Sequence, residues 1–515
     1  MRKKLMICLL LATAVLSGCA VNPVTGKTEL SLVPESTELN IGQEQYAPSR
    51  QMQGGDYTTE PGVEAYVASI GQRLAAVSDR KLPYEFKVIN DSTPNAWALP
   101  GGKIAINRGL LTELNSEAEL AAVLGHEIVH AAARHSAQGM QRGILLQGAV
   151  LAVGLASQNS EYAQLAVGGA TVGAGLVTHK YGRDAERESD YYGMQYMARA
   201  GYDPRAAITL QETFVRLSEG RNSDWLSGLF ASHPPSMERV EANRRTALAF
   251  ATGGEIGAER YRQKIAPLLQ DKAAYAAYDE GRKALAEGQT DKALGLAGKA
   301  LAAEPKEALF YALRGDVLYK QGRYQDAVTN YDRALERNNG YFHYYLQRGL
   351  AFQQLGQRDK AVADLEYSTK LLPTAPALNA LGKTSLAQGD RTRAKQYFAA
   401  AAESKSQSGQ EAAASLVRLD LPDNPQKYLN LRLGLDRSNY LLIEVVNSTG
   451  ATVTDVDVVV LLTDTAGVRR KIPLRVPNHI APKAASRMTT GIGPLADAKA
   501  LRKVQATVTG AKLVE

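Results

Sequence analysis

A period of 34 residues constrains this chain more than any other feature. Glycines recur at Gly281, Gly315, Gly349 and Gly382, and a second set at Gly288, Gly322, Gly356 and Gly389 keeps the same spacing. Ala293, Ala327, Ala361 and Ala394 follow in step. Pro305 and Pro373 close the first and third units, and Asn339 stands in the same place in the second. Three position sets in register predict stacked helix-turn-helix units over 270–405, each too small to bury its apolar face alone. Small residues fall where paired helices cross, and Tyr324, Tyr331 and Leu335 fill the stack. Tyr311, Tyr319, Tyr341, Tyr344 and Tyr345 make the array aromatic, although tyrosine at helical spacing serves packing more often than ligand contact.

The chain is long enough, at 515 residues, for three or four domains. After a transition from Gln407 to Pro425 the period changes from helical to alternating. Val456, Val458, Val460 and Leu462 alternate with Asp455, Asp457, Val459 and Leu461, as in a strand buried on one or both faces. Tyr440 to Val446, Lys471 to Val476 and Val504 to Thr509 are further strands, with turns at 447–450 and 464–467. Pro473 and Pro477 mark a sheet edge. Residues 425–515 therefore read as a small immunoglobulin-like β-sandwich with a binding or spacer role.

Net charge is +7 over the whole length, without a dense basic run after the first few residues, so nucleic acid is excluded as the partner of choice. The two cysteines, Cys8 and Cys19, both lie in the first nineteen residues. That placement removes a disulfide framework, thiolate-bound zinc and a cysteine nucleophile from the body of the protein. Residues 1–18 read as a signal peptide, with Arg2, Lys3 and Lys4 ahead of a short apolar stretch, Leu5 to Leu16. Leu16-Ser17-Gly18-Cys19 resembles the bacterial lipobox, which implies lipid on Cys19 and a membrane-anchored protein. Ala20, rather than Asp, after that cysteine favours an outer-membrane lipoprotein facing the periplasm.

The strongest chemical signal is His126-Glu127-Ile128-Val129-His130. Ser116 and Glu119 form a capping box ahead of it, and Leu120, Val123, Leu124 and Ile128 follow at helical spacing. Histidines four apart share one helix face and reach one ion, while Glu127 stands where it takes a proton from water. The pattern points to one Zn2+ per chain. A catalytic zinc needs a third protein ligand, and without cysteine that ligand is His, Glu or Asp. His135, five residues after His130, lies on another face of the same predicted helix, and His179 sits in a Gly-rich approach. The cluster Arg183 to Asp190 offers Glu186 and Asp190 four apart, one to bind and the other to orient a histidine.

Residues 143–178 carry one charge, Glu161, and many Gly and Ala. They read as a tightly packed helical hairpin over the zinc helix or, alternatively, as a membrane-contacting or mobile lid element.

Two resemblances follow from these residues. The 34-residue units resemble tetratricopeptide repeats, an α-solenoid that presents a concave face to peptides or partner proteins. Residues 20–250 resemble the HtpX class of zinc metallopeptidases (peptidase family M48). The matching blocks are Asn22-Pro23-Val24-Thr25-Gly26, Asn95 to Gly102, the His126–His130 motif, Arg183 to Gly193, and Ser232-His233-Pro234-Pro235 with Glu238-Arg239. The resemblance implies a mainly α chain: a gluzincin-type zinc metalloprotease domain with a small β element over 19–255, the solenoid over 270–405 and the sandwich over 425–515. It implies His126, His130 and Glu186 as zinc ligands, Glu127 as general base and Asp190 as the carboxylate behind a ligand. His233 is implied as a fourth ligand or a transition-state donor, and the Asn95–Gly102 strand as a border of the cleft. The expected activity is a zinc endopeptidase acting on misfolded or stalled outer-membrane proteins. Through the repeats it recruits those unfolded proteins or their assembly machinery. An assembly factor with a latched peptidase is the alternative.

Overall fold

The computed structural model describes residues 19–147, 167, 175–176, 181–220, 233–251, 253–463 and 469–514. The signal peptide, most of 143–178, His179, and the 464–467 turn lie outside the described residues. The chain divides into two compact units, Met1–Pro373 and Thr374–Glu515. Among the described residues no helix is long and apolar enough to cross a membrane.

The first unit opens with β1 (Cys19–Val21) paired antiparallel to β2 (Thr28–Leu30). Between them the Asn22 side-chain oxygen accepts from the amides of Val24 and Thr25, the local turn an Asn-Pro start favours. Helices α1 (Glu35–Met52) and α2 (Pro61–Ala75) lead into β3 (Glu85–Ile89), β4 (Ala96–Leu99) and β5 (Lys103–Asn107). Strand order is β3-β5-β4, with β3 parallel and β4 antiparallel to β5, so β4 is an edge. The Asn95–Gly102 stretch is thus a strand and the turn after it, as expected.

Helix α3 (Glu117–Ala132) runs through the middle of this unit, and all sixteen of its residues are buried. Its cap forms as predicted: Ser116 Oγ accepts from the Glu119 amide, and Glu119 reaches back to the Asn115 amide at 2.8 Å. The helix does not extend through His135. It ends at Ala132, and Arg134 turns the chain with φ +63°. His135 begins a separate helix, α4 (His135–Gln147). Helices α5 (Arg183–Arg199), α6 (Ala206–Gly220) and α7 (Met237–Ala247) complete the peptidase region. α3 and α5 cross at a glycine on each side: a β-carbon on Gly193 would lie 3.2 Å from the His126 nitrogen, and one on Gly125 3.2 Å from the Gly193 oxygen.

Three helix pairs follow within the same unit: α8 (Lys272–Ala286) with α9 (Thr290–Ala303), α10 (Ala308–Lys320) with α11 (Tyr324–Arg337), and α12 (Phe342–Gln354) with α13 (Arg358–Leu371). The periodic residues do distinct jobs. Gly288, Gly322 and Gly356 adopt φ between +72° and +80° in the turn inside each pair, where a side chain would strain the backbone. Ala293, Ala327 and Ala361 are fully buried at the helix crossings. Gly315 leaves room for the Tyr331 ring, which is itself wholly buried.

The peptidase region and these pairs share a buried polar joint. Glu307, 1% exposed, accepts from Thr59 Oγ1 (2.7 Å), Asn90 Nδ2 (3.1 Å), Tyr275 OH (2.5 Å) and the Leu309 amide (2.9 Å). Arg108 stacks over the Tyr275 ring at 3.3 Å. Gln51 donates to the Gly340 carbonyl and accepts from the Phe342 amide, while Tyr341 packs against Gly55. Tyr311, Tyr341 and Tyr344 are therefore buried packing groups.

The second unit holds α14 (Ala375–Ala387), α15 (Arg391–Ala401) and α16 (Gln407–Asp420), then, among the described residues, six strands. These are β6 (Leu429–Leu435), β7 (Leu441–Asn447), β8 (Val453–Thr463), β9 (Arg469–Arg475), β10 (Ala485–Thr489) and β11 (Val504–Leu513). They form two sheets, β10-β7-β6 and β11-β8-β9, which share one aliphatic core containing Ile443, Val445, Val458 and Val460. The sandwich stands as expected, and Pro473 does lie on an edge strand. β6 and β10 add to the strands read from sequence.

Candidate metal centre

Helical spacing sets two histidines facing one point. His126 and His130 direct their Nε2 atoms together, 3.0 Å apart. α5 crosses against this face and supplies Glu186, whose carboxylate oxygens lie 3.4 Å from His130 Nε2 and 3.6 Å from His126 Nε2. His233, just ahead of α7, brings Nδ1 to 2.9 Å from Glu186 and 3.3 Å from His126 Nε2. One ligand atom from each of the four residues lies within 4.8 Å of the others. A tetrahedron with bonds of the length zinc makes to nitrogen has edges of about 3.3 Å. The residues fit a zinc ion. Two buried carboxylate oxygens here make no hydrogen bond among the described residues: Glu186 Oε2, which has the Arg239 guanidinium at 2.9 Å, and Glu127 Oε2. Glu127, in that state beside a ligand cluster, is suited to a water or a substrate.

Electrostatics suit the same ion. Burial drives His130 well below the usual imidazole range and keeps it neutral, the form that ligates metal. Burial would raise Glu186, yet the facing His233 and His130 hold its carboxyl well below the ordinary range. Burial pushes Glu127 upward, with His233 and His126 acting against it. This carboxyl is thereby a stronger base than a solvated one.

Behind the ligands stands a second ring of contacts. Asp190 Oδ1 lies 3.0 Å from His126 Nδ1, the place sequence gives it. Arg239 grips Asp190 with two bonds of 2.7 and 2.8 Å and also reaches Glu186 at 2.9 Å. Arg239 belongs to one of the matching blocks of the sequence, but no role is read for it there. Its only local signal is the Ser236 cap, which accepts from the Arg239 amide and starts the helix at Met237.

His135 is not among the clustered ligands, but it is part of the centre. After the reversal at Arg134 it returns to place Nδ1 2.9 Å from His130 Nδ1, with its Nε2 3.3 Å from Glu188. Glu188 in turn meets Asn22 of the first turn at 3.5 Å. The expectation that His135 faces away on a continued helix is corrected by the break at Arg134. Tyr181 stacks on His130 with ring centroids 3.9 Å apart.

An apolar cavity of about 490 Å3, mouth included, opens beside the centre. Val123, Met194, Met197, Leu210 and Phe214 wall it, and His126, Glu127 and His233 line its reactive side. The edge strand β4 packs near α3.

This arrangement agrees with comparisons to known proteins. Residues 61–247 match the model of Peptidase family M48, and tetratricopeptide repeat models match 278–342, 342–373 and 375–408. A putative beta-barrel assembly-enhancing protease of Vibrio cholerae is 30% identical over 253 residues, 47% of this chain and 51% of that protein. The beta-barrel assembly-enhancing protease of Escherichia coli K12 is 27% identical over 371 residues, 64% of this chain and 74% of that protein. Metalloprotease YcaL of the same strain is 32% identical over 181 residues, 33% of this chain and 67% of that protein. The chain thus spans about half the length of the first of these relatives. With the zinc-fitting cluster inside the matched segment and the repeats behind it, the chain belongs to peptidase family M48.

Proposed function

We propose that the protein is a lipid-anchored zinc endopeptidase that hydrolyses misfolded or stalled outer-membrane proteins. The observation that carries this reading is the quartet His126, His130, Glu186 and His233 with the buried Glu127 beside it, whose Oε2 makes no hydrogen bond among the described residues. Zinc, when bound, supplies Lewis acidity and makes water acidic enough to ionise near neutral pH. Glu127 accepts the proton of the attacking water and delivers it to the leaving amine. Asp190 and Arg239 hold His126 in its ligating orientation, and Glu186 is steadied by Arg239. The apolar cavity beside Glu127 and the histidines accepts a side chain next to the scissile bond.

Substrate class rests on the relatives named for β-barrel assembly. Anchoring rests on the Leu16–Cys19 segment, and the outer-membrane address on Ala20. The repeats serve as the recruiting surface for clients or for the machinery that assembles them.

A second reading has its own support. His233 Nδ1 sits inside the ligand group, and its Nε2 lies 3.6 Å from Glu127. A histidine there closes the position that a catalytic zinc leaves for water. This favours an assembly factor whose peptidase is latched until a client displaces His233. Glu127→Gln separates the readings. It is expected to retain zinc, measured by metal analysis, and to lose degradation of an unfolded outer-membrane protein by a factor of about 10^3 or more. Full degradation by that variant would sink the endopeptidase reading. Rescue of envelope defects by the inactive form would favour the assembly factor.

A further inference from the structure

Charge is distributed unevenly along this chain. Residues 425–515 carry thirteen Lys and Arg against seven Asp and Glu, whereas 19–424 carry 44 against 46. Within the sandwich most cations are answered. Arg475 pairs with Asp457, Arg432 and Arg487 with Glu444, Lys512 with Asp455 and Lys427 with Asp420.

One end of the second sheet is different. Register sets Arg469 beside Thr463 and Lys471 beside Leu461 on β8. From the other side, Val504 pairs with Leu462, which brings the short 3-10 helix Ala498–Lys503 to the same end. That turn contributes Lys499, Arg502 and Lys503. All five cations are exposed, and none makes an ion pair among the described residues. The adjacent Asp497 is engaged locally, its side chain capping the amides of Lys499 and Ala500. Next to the cations, Val459 and Leu461 lie on the face opposite the buried Val458 and Val460, and they are only half-buried.

We propose that this end of the sheet docks on an anionic phospholipid bilayer, independently of any lipid on Cys19. Cations on long stems beside an aliphatic strip match a bilayer interface, where charges meet headgroup phosphates and apolar groups meet the acyl boundary. A lipid array rearranges beneath each cation. A folded acidic partner would need carboxylates at fixed places opposite five exposed cations that no ion pair anchors among the described residues.

The test uses residues 20–515, which carry no lipid, with sedimentation on two vesicle types. One is pure phosphatidylcholine, and the other is one part phosphatidylglycerol to two parts phosphatidylcholine. Binding is expected only on the second and is expected to weaken with salt. Lys499→Ala/Arg502→Ala/Lys503→Ala is expected to lower the partition coefficient roughly 100-fold, about fivefold per cation. Arg469→Ala/Lys471→Ala, on the other element, is expected to lower it roughly 20-fold and serves as the readout if the triple variant misfolds. Arg437→Ala/Lys483→Ala/Lys512→Ala makes the same change in net charge elsewhere in the sandwich and should leave most of the binding. Equal loss in both triple variants, no preference for phosphatidylglycerol, or binding to polyglutamate but not to vesicles would each overturn the proposal.

Discussion

His135 gives the sharpest test of the metal centre at the scale of single residues. It contacts no other member of the ligand group except His130, so its influence passes through that imidazole. Partners of this kind fix the tautomer and ring orientation of a ligand, and losing one costs about 10- to 100-fold in metal affinity. His135→Ala should weaken zinc binding by that factor in a chelator competition, with the fold intact. Unchanged affinity would show that the Glu188–His135 contact is packing alone. Asp271, at the start of α8, makes a prediction of a different kind. Burial, reinforced by Glu304 and Glu60, lifts its carboxyl to about 6. An acid raised on folding binds more protons in the native state than in the unfolded one between its two pKa values. Stability therefore falls as pH rises from about 4 to about 6, and the penalty persists above. Because the group is only half-buried, solvent screens part of the effect, and Asp271→Asn should stabilise by only about 0.5–1 kcal/mol at pH 7. The gain should vanish near pH 4, as urea unfolding at the two pH values would register; an equal gain at both would remove ionisation as the cause.

The pair α3 and α5 sets the distance between ligands at the scale of elements. Because Gly125 and Gly193 let the backbones meet, Glu186 and Asp190 reach histidines on the opposite helix. A methyl at position 193 would press on the backbone of His126, which cannot swing aside as a side chain would. Gly193→Ala should move the two ligand sets apart by a few tenths of an ångström and reduce both zinc affinity and turnover about tenfold. A variant with wild-type affinity and turnover would show that this crossing has slack. Sequence made much of this legible. Spacing put His126 and His130 on one face, and the block order supplied Glu186, Asp190 and His233. The break after Ala132 was hidden because Arg134 is a non-glycine residue in left-handed conformation within an Ala-rich run. The role of Arg239 was hidden because its partners are 49 and 53 residues away in the chain. β6 was readable in principle: Leu429, Leu431, Leu433 and Leu435 alternate with period two. The Glu307 joint had no pattern to read, since a docking contact between domains has no period.

Glu307 matters most at the scale of the molecule. It is a buried carboxylate that gathers donors from the peptidase region and from the first repeat helices. Removing it leaves several buried donors unsatisfied, and Glu307→Ala should destabilise the first unit by about 2–4 kcal/mol. Calorimetry should then resolve separate transitions for the peptidase region and the repeats; one unchanged transition would show that the joint rests on its apolar contacts instead. The same joint has a kinetic consequence. If the repeats recruit clients as proposed, a client held on these first repeat helices meets the cleft at constant reach, because Glu307, Gln51 and Tyr341 seat them on the peptidase without a swinging linker. Its local concentration at the scissile position then depends on the slack in the client's own chain. On the proposed function, such an enzyme would distinguish clients by how much loose polypeptide they offer, a folded barrel offering too little to span the gap and a stalled one enough.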